Sequence, residues 1–501
     1  MNRRVAIIDI GSNSARLVIF ERSSKFGFHL ISEQKSKVRI GEGAYQKDGY
    51  LQPAGVTRAF LTLQSFVESI DRYCVDEVFC IATSALRDAP NRFKFISWIK
   101  ESLGLEIKII SGNEEAFYGA VATINLLPIT DGITIDIGGG SSDLSLIKNS
   151  KVIDSFSLNL GTVRLKELFF DKNRDISKAK KYISKELKKI PKRFKNDIAI
   201  GLGGTIRALS RAIMIQSNYP FKKLHAFSYK TDEYEEYFKS IIESDYIDLE
   251  KLNIKENRFD TIREGTLIFV KILSSISAKN MITSGVGIRE GVFLSNMLQN
   301  YNYNFPDNLN PSLVSMQDRF DNTNKNYIKM ISSTVELFTL LNTNLNIESD
   351  YRDELISAIL LSNIGKSLTI YNINQHAFYI ASQELNYKYT HSQIILISML
   401  LLINGKDIKK IKLYKTYKSL LPQKKILKLL NFVYSTIVNI YDISQDLNIE
   451  FKYLNKTLYI SSDKSLYLVK ETLQKIAKPK KFEIEIEDVS KIPSINSIIK
   501  I

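Results

Sequence analysis

The 501-residue sequence predicts the α/β class: two related α/β units, then an all-α unit and a small α+β unit. Three observations carry this prediction. The same phrase occurs twice, AIIDIGSNSARLVIF over 6–20 and ITIDIGGGSSDLSLI over 133–147. Strand-like and helix-like segments alternate as far as Gly291, the pattern of layered α/β units. Beyond it, 300–310 reads as a linker rich in Asn, Tyr and Pro, and a helical period follows. A chain of this length also exceeds the size at which one core stops growing. The expected units are 1–126, 127–300, 311–443 and 447–501.

Each copy of the phrase has a β-branched run, an acid at the strand end, a turn of Gly, Ser or Asn, and a second apolar run. That is the pattern of a β-hairpin. Strands are expected at 5–10, 17–22, 78–82, 107–110, 133–137, 144–147, 152–159, 198–202 and 281–284, and helices at 53–73, 92–103, 113–125 and 177–193. From 327 to 443 the pattern is almost wholly helical. A hairpin turning at Asn455-Lys456, a helix over 465–476 and a strand over 482–487 complete the chain.

Composition narrows the function classes. The chain is 44% apolar and 25% charged, as in ordinary globular proteins. Its two cysteines, Cys74 and Cys80, form neither a disulfide framework nor a zinc signature, which points to a reducing cytoplasm. The N-terminus lacks a signal-peptide pattern, and the apolar run at 394–403 is too short for a bilayer. The net charge of +15 gathers in 164–195, with 13 basic and 4 acidic residues, and in 406–428, with 9 lysines against Asp407. Such patches attract polyanions, or they are solvated helix faces. No helix-turn-helix, zinc-finger or aromatic RNA-binding motif accompanies the charge, so no specific nucleic acid is expected.

Glycine-rich turns let backbone N–H groups surround an anion. The duplicated turns therefore read as phosphate loops, with Gly11, Ser12, Asn13 and Ser14 in one and Gly138, Gly139, Gly140, Ser141 and Ser142 in the other. Asp9 and Asp136, at the two strand ends, are placed to hold a divalent cation. A further loop, LGGTIRALS from Leu202, opens a helix with Gly203, Gly204 and Thr205, where N–H groups and helix dipole favour an anion. TSGVGIREG from Thr283 is another glycine turn before a helix. Glu115 opens a helix as well, and by itself reads either as a water-activating carboxylate or as a capping acid.

Eight ordered phrases resemble the exopolyphosphatase and guanosine pentaphosphate phosphohydrolase (Ppx/GppA) family: DIGSNS, VRIGEG, ATSALRDAPN, ISGNEEA, IDIGGGSSDL, LGTVRL, LGGT and SGVGIREG. The resemblance implies two ribonuclease H/actin-like domains forming a cleft, followed by a helical HD-like domain. It implies Glu115 as catalytic residue, Asp143 near the attacking water, Arg87 on phosphate, and Mg²⁺ on Asp9 and Asp136. Arg39 and Arg164 have weaker claims. The implied reaction is release of terminal phosphate from inorganic polyphosphate, or conversion of guanosine pentaphosphate to the tetraphosphate in the stringent response, by a cytoplasmic homodimer without membrane attachment. An ATP-dependent kinase of the shared fold and a non-catalytic sensor are the competing classes. The HD pair of longer family members is replaced here by Ser362-Asn363, and the four histidines are His29, His225, His376 and His391, too few to rebuild that centre. The C-terminal half is therefore expected to hold substrate or to form the dimer.

Overall fold

In the computed structural model, the first copy of the phrase forms the hairpin of β1 (Arg3–Ile10) and β2 (Ala15–Arg22). With β3 (Phe28–Ser36), β4 (Glu77–Ala82) and β5 (Ile107–Ile109) it makes a sheet of order β3-β2-β1-β4-β5. The meander β1–β2–β3 is antiparallel, and β4 and β5 join in parallel. The second copy repeats this plan with β6 (Gly132–Ile137), β7 (Ser142–Lys148), β8 (Lys151–Leu158), β9 (Ile198–Leu202), β10 (Ser228–Lys230) and β11 (Asn280–Thr283). Its order is β10-β11-β9-β6-β7-β8, the same topology with β10 added at one edge. The chain is thus duplicated in topology as well as in phrase.

The residues described are 3–44, 47–171, 175–321, 327–347, 350–442 and 446–487. The expected helical end at 443, residues 172–174 of the first basic stretch, and 488–501 of the last unit lie outside them. The chain divides into one body of residues 1–311 with 386–389 and another of 312–385 with 390–501.

In the first body the central strands are covered on both faces, which is why β1 reads as a continuous apolar run. One face of its sheet packs Ile8, Ile10 and Leu17 against Leu63 and Phe66 of the Pro53–Arg72 helix. The other face packs Ile7, Val18 and Phe20 against Val121 and Leu126 of the Gly112–Leu126 helix and Phe293 of the Ile288–Met297 helix. The opposite side of the Gly112–Leu126 helix, through Ala120 and Ile124, meets Ile147, Ile200 and Leu202 of the second sheet. This helix therefore lies between the sheets, and burial on both sides explains its missing polar face. Where it crosses the Ile288–Met297 helix, a Cβ on Gly291 would sit 1.8 Å from the Tyr118 carbonyl oxygen, so only glycine allows that approach.

Two strands were not anticipated from the sequence. In FHLISEQKS, β3 is a largely polar edge strand without clean alternation, and β10 has three residues. The helix expected over 177–193 spans Ile176–Leu187, stopping before Pro191.

The second body is helical over Tyr327–Asn344, Arg352–Leu360, Ile373–Glu384, His391–Ile403 and Lys424–Tyr441. The His391–Ile403 helix is apolar nearly all round and buried accordingly. A sheet of β12 (Ile449–Leu454), β13 (Thr457–Ser462) and β14 (Glu483–Glu487) follows, with Tyr467–Lys475 as its helix. Asn455 and Lys456 both take positive φ, 47° and 61°, as a two-residue hairpin turn requires. Asn363 donates to the Tyr327 hydroxyl at 3.1 Å. Among the described residues no helix is long and apolar enough to cross a membrane.

Candidate active site

Both hairpin turns close in the same way. Gly11 N–H donates to the Ser14 carbonyl at 3.1 Å, and Gly138 N–H to the Ser141 carbonyl at 2.9 Å. The LGTVRL segment props the second turn. Thr162 N–H donates to Gly138 O at 3.0 Å, Val163 N–H to Gly139 O at 2.8 Å, and the Arg164 Nε to Gly140 O at 2.9 Å. The first turn is tied through the Ser12 and Ser84 hydroxyls, 2.9 Å apart.

Between the turns lies a cavity of about 170 Å³. It brings together Asp9, Gly11, Ser12, Asn13, Ser14, Glu115, Asp136, Gly138, Gly139, Ser141, Gly203, Gly204 and Thr205. Gly140 and Ser142 are not on its wall, and the Ser142 hydroxyl instead donates to the Leu160 carbonyl. Gly203 needs its φ of +75°, and a Cβ there would meet Asp136 Oδ1 at 2.2 Å, so this glycine lets the third loop close over the second acid.

Glu115 enters the cavity from the first turn of the Gly112–Leu126 helix. The capping role belongs to its neighbour: Glu114 accepts from Ser111 N–H at 2.8 Å, and the Ser111 hydroxyl accepts from Glu114 N–H at 3.1 Å. Glu115 is thereby free to face the cleft. Behind the wall, Arg87 donates through Nη1 to Glu115 Oε2 at 3.3 Å and to the Ile110 carbonyl at 3.0 Å. Asp143 is also behind the wall, buried, and accepts from the Ser157 and Ser141 hydroxyls. Arg39 pairs with Asp260 at 3.3 Å, and Arg164 with Asp88 at 2.8 Å.

Burial dominates the electrostatics of the acids. It raises the Glu115 carboxyl well above its ordinary range, with the charge of Asp143 adding to it and Arg87 opposing. Asp143 is pushed up to about 7 by burial, against the Ser157 hydrogen bond. Asp9 is raised to about 6 by burial, and Asp136 adds repulsion while Arg289 and Arg16 oppose. Burial also raises Asp136, opposed first by Arg207.

The sequence reading did not anticipate the basic wall. Arg16, Lys35, Lys37, Arg207, Arg258 and Arg289 all line the cavity. Arg16, Arg207 and Arg289 stand inside the phrases SARL, TIRAL and GIREG, each a few residues past a glycine turn, and that position is the signal available. Arg258 lies in no such phrase. Arg16 and Arg289 share the Glu33 carboxylate at 3.2 and 2.9 Å.

Two duplicated α/β lobes thus surround a loop-lined, cation-walled cavity whose wall suits an anion. A model of the Ppx/GppA phosphatase family matches residues 18–300, and the chain belongs to that family. The bifunctional 3-dehydroquinate synthase/phosphatase of Fusobacterium nucleatum is 29% identical over 299 residues, 56% of this chain and 44% of that protein. The chain thus spans less than half the length of this curated relative. The crystal structure of the Aquifex aeolicus Ppx/GppA family member is 29% identical with a TM-score of 0.52, covering 60% of this chain and 99% of that one. An exopolyphosphatase from Cytophaga hutchinsonii shares the fold at 23% identity and a TM-score of 0.54, over 59% of this chain and 98% of that one.

Proposed function

We propose that this phosphatase-family member is an exopolyphosphatase, releasing orthophosphate from the end of inorganic polyphosphate. The observation that carries the reading is Glu115, an arginine-held carboxylate facing a cavity between paired anion loops. Water bound beside Glu115 gives its proton to the carboxylate as its oxygen attacks the terminal phosphorus. The bridging P–O bond breaks, and the shortened chain leaves with the electron pair. Arg87 holds the base in place, and the N–H groups of residues 12–14 and 139–141 receive phosphate oxygens.

Asp9 and Asp136 suit Mg²⁺. They are two half-buried acids on one cavity wall that repel each other, and a cation relieves that repulsion. Among the described residues no three acidic, His or Cys side chains form a cage, which fits a cation that completes its shell with water and phosphate oxygens. When bound, Mg²⁺ supplies charge neutralisation at the transferred phosphoryl group.

In the second body a groove is lined by Lys409, Lys410, Lys412, Lys415, Lys418 and Lys424, and none of these ammonium groups is ion-paired among the described residues. All its cations are lysines, which hold phosphate as point charges without the planar fork of arginine. It is read here as a holding surface for long polyphosphate.

The test is phosphate release with Mg²⁺ from long-chain polyphosphate and from guanosine pentaphosphate, which presents the same terminal anhydride. Polyphosphate is expected to be the faster substrate, and Glu115→Gln to lower kcat by about 10²–10⁴ while leaving Tm within a few degrees. Faster release from the nucleotide would replace the substrate, and undiminished activity in Glu115→Gln would remove the mechanism.

A further inference from the structure

The two hairpins are copies, yet the side-chain rows they carry differ. In the first sheet the register sets Asp9 opposite Arg16, and Arg16 opposite Lys35. In the second it sets Asp136 opposite Asp143, and Asp143 opposite Ser157. Directly opposed residues of antiparallel strands project from the same face. Each copy therefore starts a row at its strand-end aspartate. One row continues in cations, and the other in an acid and a hydroxyl. Because β3 is an edge strand, the cationic row runs from the middle of its sheet out to the rim.

Lys35 stands at the outer end of that row, on the cavity wall and exposed to solvent. Arg16 has Glu33, and Lys37 donates to the Asn257 carbonyl at 3.3 Å. Among the described residues the Lys35 ammonium has neither a hydrogen-bond nor an ion-pair partner. Around it are Arg16 from β2, Arg258 from the Glu256–Arg258 turn, and Lys37 and Glu33 from its own strand segment. Three cations against one shared acid leave an excess of positive charge that an anion relieves. The other row repels the same anion, since Asp143 lies beside Asp136 and electrostatically against Glu115.

We propose that the phosphates beyond the cleaved bond lie along Arg16 and Lys35 and leave the cleft over the outer edge of β3, with Lys35 gripping the retained chain. The Asp136–Asp143–Ser157 row, which repels the chain, then stands on the side of Glu115 and the attacking water, with Asp143 and Ser157 behind the wall. This assignment rests on the polyphosphate reading and adds to it a direction of threading and a chain-length determinant. The duplicated hairpins thus carry rows of opposite charge, and the cationic one grips the chain.

Charge gives the assignment a pH signature. Partial burial, then Arg16, Arg258 and Lys37, lower the Lys35 ammonium to about 8. A phosphate bound to it favours the protonated form, so affinity falls as pH rises through about 8. Pyrophosphate, held at the two turns, does not reach a residue two strand spacings from β1, roughly 9.5 Å.

The experiment uses the full chain carrying Glu115→Gln, so that ligands survive, and measures Kd by calorimetry for long-chain polyphosphate and pyrophosphate between pH 7 and 9. Adding Lys35→Met is expected to weaken polyphosphate binding at pH 7 roughly tenfold, to leave pyrophosphate within about twofold, and to abolish the decline towards pH 9. Lys35→Arg is expected to restore affinity and hold it flat to pH 9. Unchanged polyphosphate binding in Lys35→Met, or an equal loss for both ligands, would overturn the assignment. Turnover by the wild-type protein is followed in parallel. Its absence defeats the hydrolase reading, while the binding comparison still decides where the chain lies.

Discussion

Glu264 is wholly buried on the Ile262–Ile276 helix, and among the described residues neither of its carboxylate oxygens meets a hydrogen-bond partner. Burial pushes its carboxyl from 4.5 up to about 7. An acid raised in the folded state stays neutral below its unfolded value and costs nothing there. As pH rises from about 4.5 through 7, the unfolded state ionises first and stability is lost. Glu264→Gln is therefore expected to match the wild type near pH 4.5 and to be more stable at pH 8, by up to about 3 kcal/mol. Thermal unfolding at the two values checks this, and an equal difference at both would refute it. Glu264 could not be picked out from the sequence, because burial of an acid on an amphipathic helix depends on what packs over it. Glu115 was readable as one of two roles, and the cap that decides between them is a hydrogen-bond pattern made by its neighbour.

The joint between the lobes is where element-scale packing is tightest. Gly291 lets the Ile288–Met297 helix approach the Tyr118 backbone, and an alanine there must push the two helices apart. Gly291→Ala is expected to cost roughly 1–3 kcal/mol, read as a lowered urea midpoint at constant m-value. An unchanged midpoint would show that the helices slide freely. Elements with strong local signals were legible: the Arg92–Leu103 helix and β9 have the bounds expected, and the two hairpins turn where their Gly-Ser phrases stand. β3 was not, since an edge strand half open to water needs no regular alternation. Its omission also hid Lys35, whose meaning comes only from its register with Arg16.

At the scale of the molecule, the cavity is made wholly by residues of the first body, and the Aquifex aeolicus relative has nearly its whole chain in the matched region. A chain ended at Pro311 is expected to fold and to release phosphate, with its preference for long polyphosphate reduced because the lysine groove is gone. It should also melt lower by roughly 2–4 °C, because residues 386–389 belong to the first body: Lys388 N–H donates to the Leu126 carbonyl at 2.8 Å, and Tyr387 stacks on Phe28 at 5.6 Å. Unaltered chain-length preference in the shortened protein would reject the groove's role. By itself the sequence determined the duplication, the glycine turns, the strand-end acids and the family, because each is written in contiguous residues whose turn chemistry is local. Only the tertiary structure decided which acids share a wall, which arginines and lysines face them, and that the two copies carry opposite rows. Those follow from cross-strand register and helix crossing, which join residues far apart in the chain and leave no mark on their neighbours in sequence.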